Sequence, residues 1–171
     1  RSFSMDVGVV ARWSSALNAT VDLGAAVYAF ASGLLKVIPL IKLETTYTAS
    51  PRSEVMANYE HAIQDATNAF FVVTDLARLR MNRKWTRSWS SQIMMSWWAN
   101  GFGPVQIVDP TLPGQDRTDH TVNLNGGVTF APVAEPSVVF NMGYTYETRL
   151  SEFEQFQFDN HILSLDANWR P

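Results

Sequence analysis

The chain has no cysteine among its 171 residues, which excludes a disulfide framework, a thiolate metal site and a thiol nucleophile. Long hydrophobic runs are missing as well. No window approaches the roughly 18 apolar residues of a membrane-spanning helix, and the most apolar stretch, Leu23 to Ile41, is interrupted by Ser32, Gly33, Lys36 and Pro39. There is no excess of basic charge: 13 Lys and Arg stand against 16 Asp and Glu, for a net charge of -3, so no electrostatic footprint for nucleic acid is present. The one basic concentration, Arg78, Arg80, Arg83, Lys84 and Arg87 interleaved with Trp85 and Trp89, reads as a solvated loop anchored by tryptophans. The chain opens at Arg1 without a signal peptide, as a mature form or a fragment does.

What the sequence has in abundance is alternation. Val122, Leu124, Gly126, Val128 and Phe130 are interleaved with Thr121, Asn123, Asn125, Gly127 and Thr129; Val138, Phe140, Met142, Tyr144 and Tyr146 with Asn141, Gly143, Thr145, Glu147 and Arg149; Leu163, Leu165, Ala167 and Trp169 with Ser164, Asp166, Asn168 and Arg170. Side chains of a strand point to opposite faces with period two, so each run predicts a two-faced strand. Earlier strands are expected at Ser2 to Trp13, Ala19 to Ala31, Ser53 to Ala62, Phe70 to Arg80, Trp89 to Trp98 and Val105 to Val108, with Gly101, Gly103 and Pro104 breaking the chain between the last two. Asp109 to Asp119 and Ser151 to Asn160 read as polar loops. With Lys36 to Thr48 taken as loop the count is nine strands; its own alternating set, Ile41, Leu43, Thr45 and Tyr47, gives ten when it is taken as a strand. Three hairpins are expected to close on an aromatic, at Ala11-Arg12-Trp13, Ala57-Asn58-Tyr59 and Val128-Thr129-Phe130.

Charges deep in the polar runs, aromatics near the ends of the apolar ones, and short turns alternating with longer loops are the pattern of an antiparallel, up-and-down transmembrane β-barrel. The expectation is one all-β barrel domain over 1–171, with about 8–10 strands, truncated at its N-terminus and part of a larger barrel if strands precede Arg1. The segments HTVNLNGGVTFAP, SVVFNMGYTYETR and NHILSLDANWR resemble bacterial outer-membrane β-barrels, especially the β-barrel porins associated with exopolysaccharide loci. The resemblance covers about the last third of the chain. It implies location in the bacterial outer membrane and a link to polysaccharide export. The chain departs from the usual terminal aromatic of such barrels by placing Arg170 and Pro171 after Trp169.

The residues expected to line the lumen are Asp6, Arg12, Asp22, Glu54, Asn58, Glu60, Asn123, Asn125, Asn141, Glu147, Asp166, Asn168 and Arg170, a set in which acidic groups outnumber basic ones. They line a hydrated pore on one reading and pair into a plug on the other, since small barrels are filled by side chains. Trp13, Tyr59, Phe130, Tyr144, Tyr146 and Trp169 are expected at the membrane interfaces. No catalytic set assembles: His161 and Ser164 are three apart and face opposite ways on a strand. Asp109, Asp116 and Asp119 lack the spacing of a calcium loop. Neither Gly126-Gly127 nor Gly101-Phe102-Gly103 opens a helix that would hold a phosphate. The expected role is therefore passive, porin-like or structural, non-enzymatic, without metal or cofactor, and with membrane lipid and small solutes or polysaccharide as partners. Two alternatives remain: a soluble β-barrel with apolar residues inward around a lipophilic ligand, and an outer-membrane lipid-modifying enzyme.

Overall fold

A computed structural model describes residues 2–29, 35–64, 72–105, 115–133 and 138–169. These form one antiparallel sheet of nine strands in sequence order: β1 (Ser2–Arg12), β2 (Leu17–Ala29), β3 (Leu35–Ser50), β4 (Ser53–Gln64), β5 (Val72–Lys84), β6 (Trp89–Val105), β7 (Gln115–Phe130), β8 (Val138–Ser151) and β9 (Phe158–Trp169). The fold is all-β and up-and-down, as the alternation requires. The other regular element among the described residues is a single 3-10 turn, Glu154–Phe156.

The nine strands are not the nine counted with Lys36 to Thr48 as loop. That segment lies inside β3, and its proline is tolerated for a structural reason. Pairing of β3 with β4 begins at Ile41↔His61, so Pro39, opposite Ala25, sits where β3 has a partner on one side only and its missing N–H disrupts no second ladder. Conversely, Gly101, Gly103 and Pro104 do not end a strand. All three lie in β6: Gly101 pairs regularly with Val73 and Thr118, and Gly103 and Pro104 sit at a register shift between Phe102 and Val105, a bulge that absorbs the proline; residues 106–108 of the expected short strand fall outside the described residues. The basic cluster is not a loop: Arg78 and Arg80 lie in β5, as the expected strand ending at Arg80 has them, and Arg83 and Lys84 belong to the same strand, because Met81 continues the period of two beyond Leu79. Gln115 to Asp119 are β7, not loop. Ser151 ends β8, and Phe158 to Asn160 begin β9. Ala57-Asn58-Tyr59 is mid-strand in β4, with no turn after it. Phe70 and Phe71, Asp109 and Arg170 lie outside the described residues.

Register keeps the two parities apart across the whole sheet. One row runs Val21, Leu43, Tyr59, Ala77, Trp97, Val122. Its neighbour on the other face runs Thr20, Glu44, Asn58, Arg78, Ser96, Asn123, Glu147, Asn160. A one-residue slip anywhere would exchange the faces of every later strand. At the β1–β2 pair the backbones also approach closely: a Cβ on Gly24 would meet the Met5 carbonyl oxygen and Asp6 Cα, and one on Gly8 would meet the Asp22 carboxylate.

In the inner strands the polar face is the occluded one, whereas β9 at one edge is exposed on both faces and β1 at the other nearly so. Thr20, Asn58, Arg78, Ser96, Asn123 and Glu147 are half-buried or buried, while Leu43, Leu79, Ile93, Met95, Leu124, Phe140 and Met142 on the apolar face are exposed. The buried apolar side chains among the described residues are only Ala19, Ala26, Ile38 and Ala99, so the sheet has no hydrophobic core between its own layers. Burial of this kind places the polar face on the inner side of a curved sheet. The short turns step in one direction along the register, as tilted strands of a curved sheet do. The β1–β2 turn closes at Arg12↔Asn18, in the row of Arg80. The β3–β4 turn closes at Ser50↔Ser53, in the row of Arg83. The β5–β6 turn closes at Lys84↔Ser90, and β7 meets β8 at Phe130↔Phe140, in the row of Trp89 beyond it. The outer edges of β1 and β9 carry no strand partner among the described residues, a row of free backbone groups on each side.

Candidate functional site

The inner face is where chemistry-bearing side chains gather, and alternation in the nine strands puts them there. Asp6 and Arg12 on β1, Asp22 on β2, Glu54, Asn58 and Glu60 on β4, Asn123 and Asn125 on β7, Asn141 and Glu147 on β8, and Asp166 and Asn168 on β9 all share its parity. The sequence reading missed part of this face. Lys42 and Glu44 come with β3, Arg78, Arg80 and Asn82 with β5, and Arg117, Asp119 and Arg149 with β7 and β8. Lys42, Glu44, Arg117 and Asp119 were inside segments taken for loop, Arg78 and Arg80 ended an expected strand but were also taken with the basic loop, and Asn82 and Arg149 were not counted with the lumen, although the period of two runs through all of them. The expected acidic excess is thereby corrected: the added arginines and lysine bring the two signs close to balance.

Charges on this face are mostly unpaired. Among the described residues its ion pairs are Lys42–Glu44 at 3.2 Å and Arg117–Asp119 at 3.0 Å, each between neighbours on one strand. Among the described residues Arg78 and Arg80 reach no carboxylate, and their Nε atoms are occluded without a hydrogen-bond partner. Neutral cross-strand bonds do the tying: Asn125 Nδ2 donates to Thr145 Oγ1 at 2.6 Å, Thr129 Oγ1 to Asn141 Oδ1 at 2.9 Å, and Thr74 Oγ1 to Asn100 Oδ1 at 3.0 Å. Toward the short turns the face opens into a groove of about 570 Å³ lined by Glu54, Asn82, Lys84, Gln92, Asn125 and Asn141 among others.

At the opposite end, near the longer connections, the face is capped. The Arg117 guanidinium carbon stands 4.2 Å from the Phe102 ring centre and 4.1 Å from that of Phe156. Phe156 belongs to the 3-10 turn between β8 and β9, so this connection folds over the polar side. Arg149 lies 5.0 Å over Phe158 in the same way. Beneath them Asp119 is 1 % exposed and Thr121 is buried. Cation–π contact and the ion pair together hold Arg117 in place.

Trp98, Phe102 and Phe158 share the polar parity; the aromatics of the outer face gather mainly in two bands. Toward the short turns, Trp89 and Phe130 meet at 4.5 Å and Phe130 and Phe140 at 6.3 Å; Trp169 ends β9 at this side, Trp13 lies in the β1–β2 turn, and the Arg83 guanidinium sits 4.2 Å over the Trp85 ring. Toward the longer connections stand Tyr59, Trp97 and Tyr146. Tyr144 is lower on β8, but its hydroxyl reaches His161 Nδ1 at 2.7 Å.

The one serine and histidine pair that lies close in sequence stays apart in the sheet. His161 pairs with Tyr146 on the apolar side, while Ser164 pairs with Gly143 on the polar side. No group of three histidine, aspartate or glutamate side chains placed to hold a metal occurs among the described residues, and no helix there is long and apolar enough to cross a membrane. No family model, curated protein or solved structure matches the chain.

Proposed function

We propose that this chain forms the wall of an outer-membrane-type β-barrel, non-enzymatic, with a hydrated polar interior that passes or holds small solutes or polysaccharide. One observation carries the reading: the occluded face is polar and charged, while the exposed face is apolar, as on β6, where Ile93 is 55 % and Met95 51 % exposed but Ser96 beside them only 1 %. Exposed apolar surface on this scale needs a covering, and lipid is the covering that the two aromatic bands and the strand lengths of 11–17 residues fit. Unpaired arginines and carboxylates on the inner face call for water, since an isolated buried charge is strongly unfavourable. A soluble barrel around a lipophilic ligand needs the reverse assignment, with apolar side chains occluded. β1 and β9 run in the same direction, so a barrel that is antiparallel throughout has an odd number of further strands between them.

Spin labels test the faces directly. In lipid vesicles, labels at Leu124, Phe140 and Leu165 should be accessible to oxygen dissolved in the bilayer, and labels at Asn123, Asn141 and Asp166 to a water-soluble relaxation agent. Equal aqueous accessibility on both parities would remove the membrane reading.

The charge balance makes a prediction about conduction. Planar-bilayer recordings in a salt gradient should give a weakly selective channel, and changing Arg78 and Arg80 together to Gln should shift the reversal potential toward cations, because the acidic side chains then prevail. An unchanged potential would mean that the two arginines do not face the permeation path.

A further inference from the structure

The apolar face carries almost no charge. Among the residues whose side chains are described, its titratable groups apart from tyrosine are Asp75, Asp159, Arg83 and the three histidines of the chain, His61, His120 and His161. Arg83 is near the short turns; all the others lie at one height. His61 is eight residues along β4 from Ser53, His161 eight along β9 from Trp169, and His120 ten along β7 from Phe130. At about 3.3 Å per residue and a tilt of roughly 45° this is about 19–23 Å above the short-turn aromatics, close to the roughly 25 Å height of a barrel's apolar band. The groups are ordered there by specific contacts. Asp75 Oδ1 accepts from the Tyr59 hydroxyl at 2.6 Å and lies 2.7 Å from His61 Nδ1. His161 meets the Tyr146 ring at 4.9 Å, and Tyr146 donates to Asp159 at 3.3 Å. His120 stacks on Trp97 at 5.9 Å.

We infer that this row is a headgroup-binding belt for anionic lipid, whose sign reverses with pH. The proposal rests on the membrane reading above. With neutral imidazoles the belt presents two carboxylates and repels phosphate-bearing headgroups. With three imidazolium groups it presents one net positive charge and attracts them. Imidazoles ordinarily change charge between about pH 5 and 8. The groups facing each histidine are few: Asp75 and Tyr59 beside His61, Asp159, Tyr144 and Tyr146 around His161, and for His120 the uncharged Trp97 and Ala99 on β6 and Thr148 and Leu150 on β8. An outward carboxylate at this level also marks where the hydrocarbon must end, because a charge on the lipid face is tolerated only near the interface.

The test is folding into vesicles of phosphatidylcholine alone and of phosphatidylcholine mixed with phosphatidylglycerol, by denaturant titration at pH 8 and pH 5.5. The folding constant in the anionic vesicles relative to the neutral ones should rise at least about tenfold on acidification, each cation near an anionic surface gaining on the order of 1 kcal/mol. The rise should be abolished in the triple variant His61→Gln, His120→Gln, His161→Gln. Should that variant fail to fold, Asp159→Asn serves: it should raise the preference for anionic vesicles already at pH 8. Inorganic phosphate added to the neutral vesicles should not reproduce the effect. Wild-type protein that inserts equally at both pH values, or a triple variant that keeps the full pH response, overturns the belt while leaving the barrel intact. Failure to insert into either vesicle at either pH overturns the membrane reading and the belt with it.

Discussion

Replacing Arg117 by Ala is expected to destabilise the protein by about 3–5 kcal/mol, the cost of breaking a buried ion pair from one side. Arg117 is 12 % exposed and its partner Asp119 1 %, so the substitution leaves a carboxylate with no cation within an ion pair's reach among the described residues. Two aromatic contacts vanish at the same time, those with Phe102 and Phe156. The double variant Arg117→Leu, Asp119→Leu should recover most of the loss, because removing both partners leaves no uncompensated charge. Denaturant titration in vesicles measures both. The second readout is local: without the guanidinium, the connection carrying Glu154–Phe156 loses its hold on the polar face and should be cut faster by protease. A single variant as stable as the wild type would mean that water solvates Asp119 and that the mouth is open there.

A cation placed on the outer face should be the next most damaging change, and its cost should depend on height. Ile93 lies midway between Trp89 and Trp97 on β6 and is 55 % exposed. Ile93→Arg should cost about 2–4 kcal/mol, as for a charge near the bilayer midplane. Phe140→Arg should cost only about 0–1 kcal/mol, because its neighbours Phe130 and Trp89 place it in the short-turn aromatic band rather than at mid-height. Gln92→Arg, one residue from Ile93 but on the polar face, should be nearly neutral, since water and the nearby carboxylate of Glu54 can accommodate it. Folding titrations into vesicles rank the three. If Gln92→Arg were the most damaging, the faces would be reversed, and an apolar-lined soluble barrel would be the better description.

The candidate site was legible in the sequence wherever the alternation is clean. Asn123, Asn125, Asn141, Glu147 and Asp166 share a face because of period two alone, and the structure needed only to keep the register. Arg78 and Arg80 obey the same rule and fall within the expected strand ending at Arg80, yet clustering with Arg83, Lys84 and two tryptophans gave the same residues a loop reading and kept them out of the lumen set. Five basic residues in a short span suggest solvation, and nothing local says that Leu79 and Met81 between them point the other way into a continuous sheet. Pro39, Gly101 and Pro104 misled for a related reason. Whether a proline breaks a strand depends on whether a neighbour needs its N–H, and that is decided by how far β4 and β7 extend alongside.

The chain by itself determined that it forms strands and which side chains share a face, because a period of two is a local property of extended backbone. Tertiary structure alone decided which face is occluded, since curvature comes from the twist and stagger of nine strands together. It also decided that three histidines 59 and 41 residues apart, on β4, β7 and β9, reach one height, and that Phe156 folds back onto Arg117. Those meetings are set by register and strand tilt accumulated across the sheet, which no window of sequence contains.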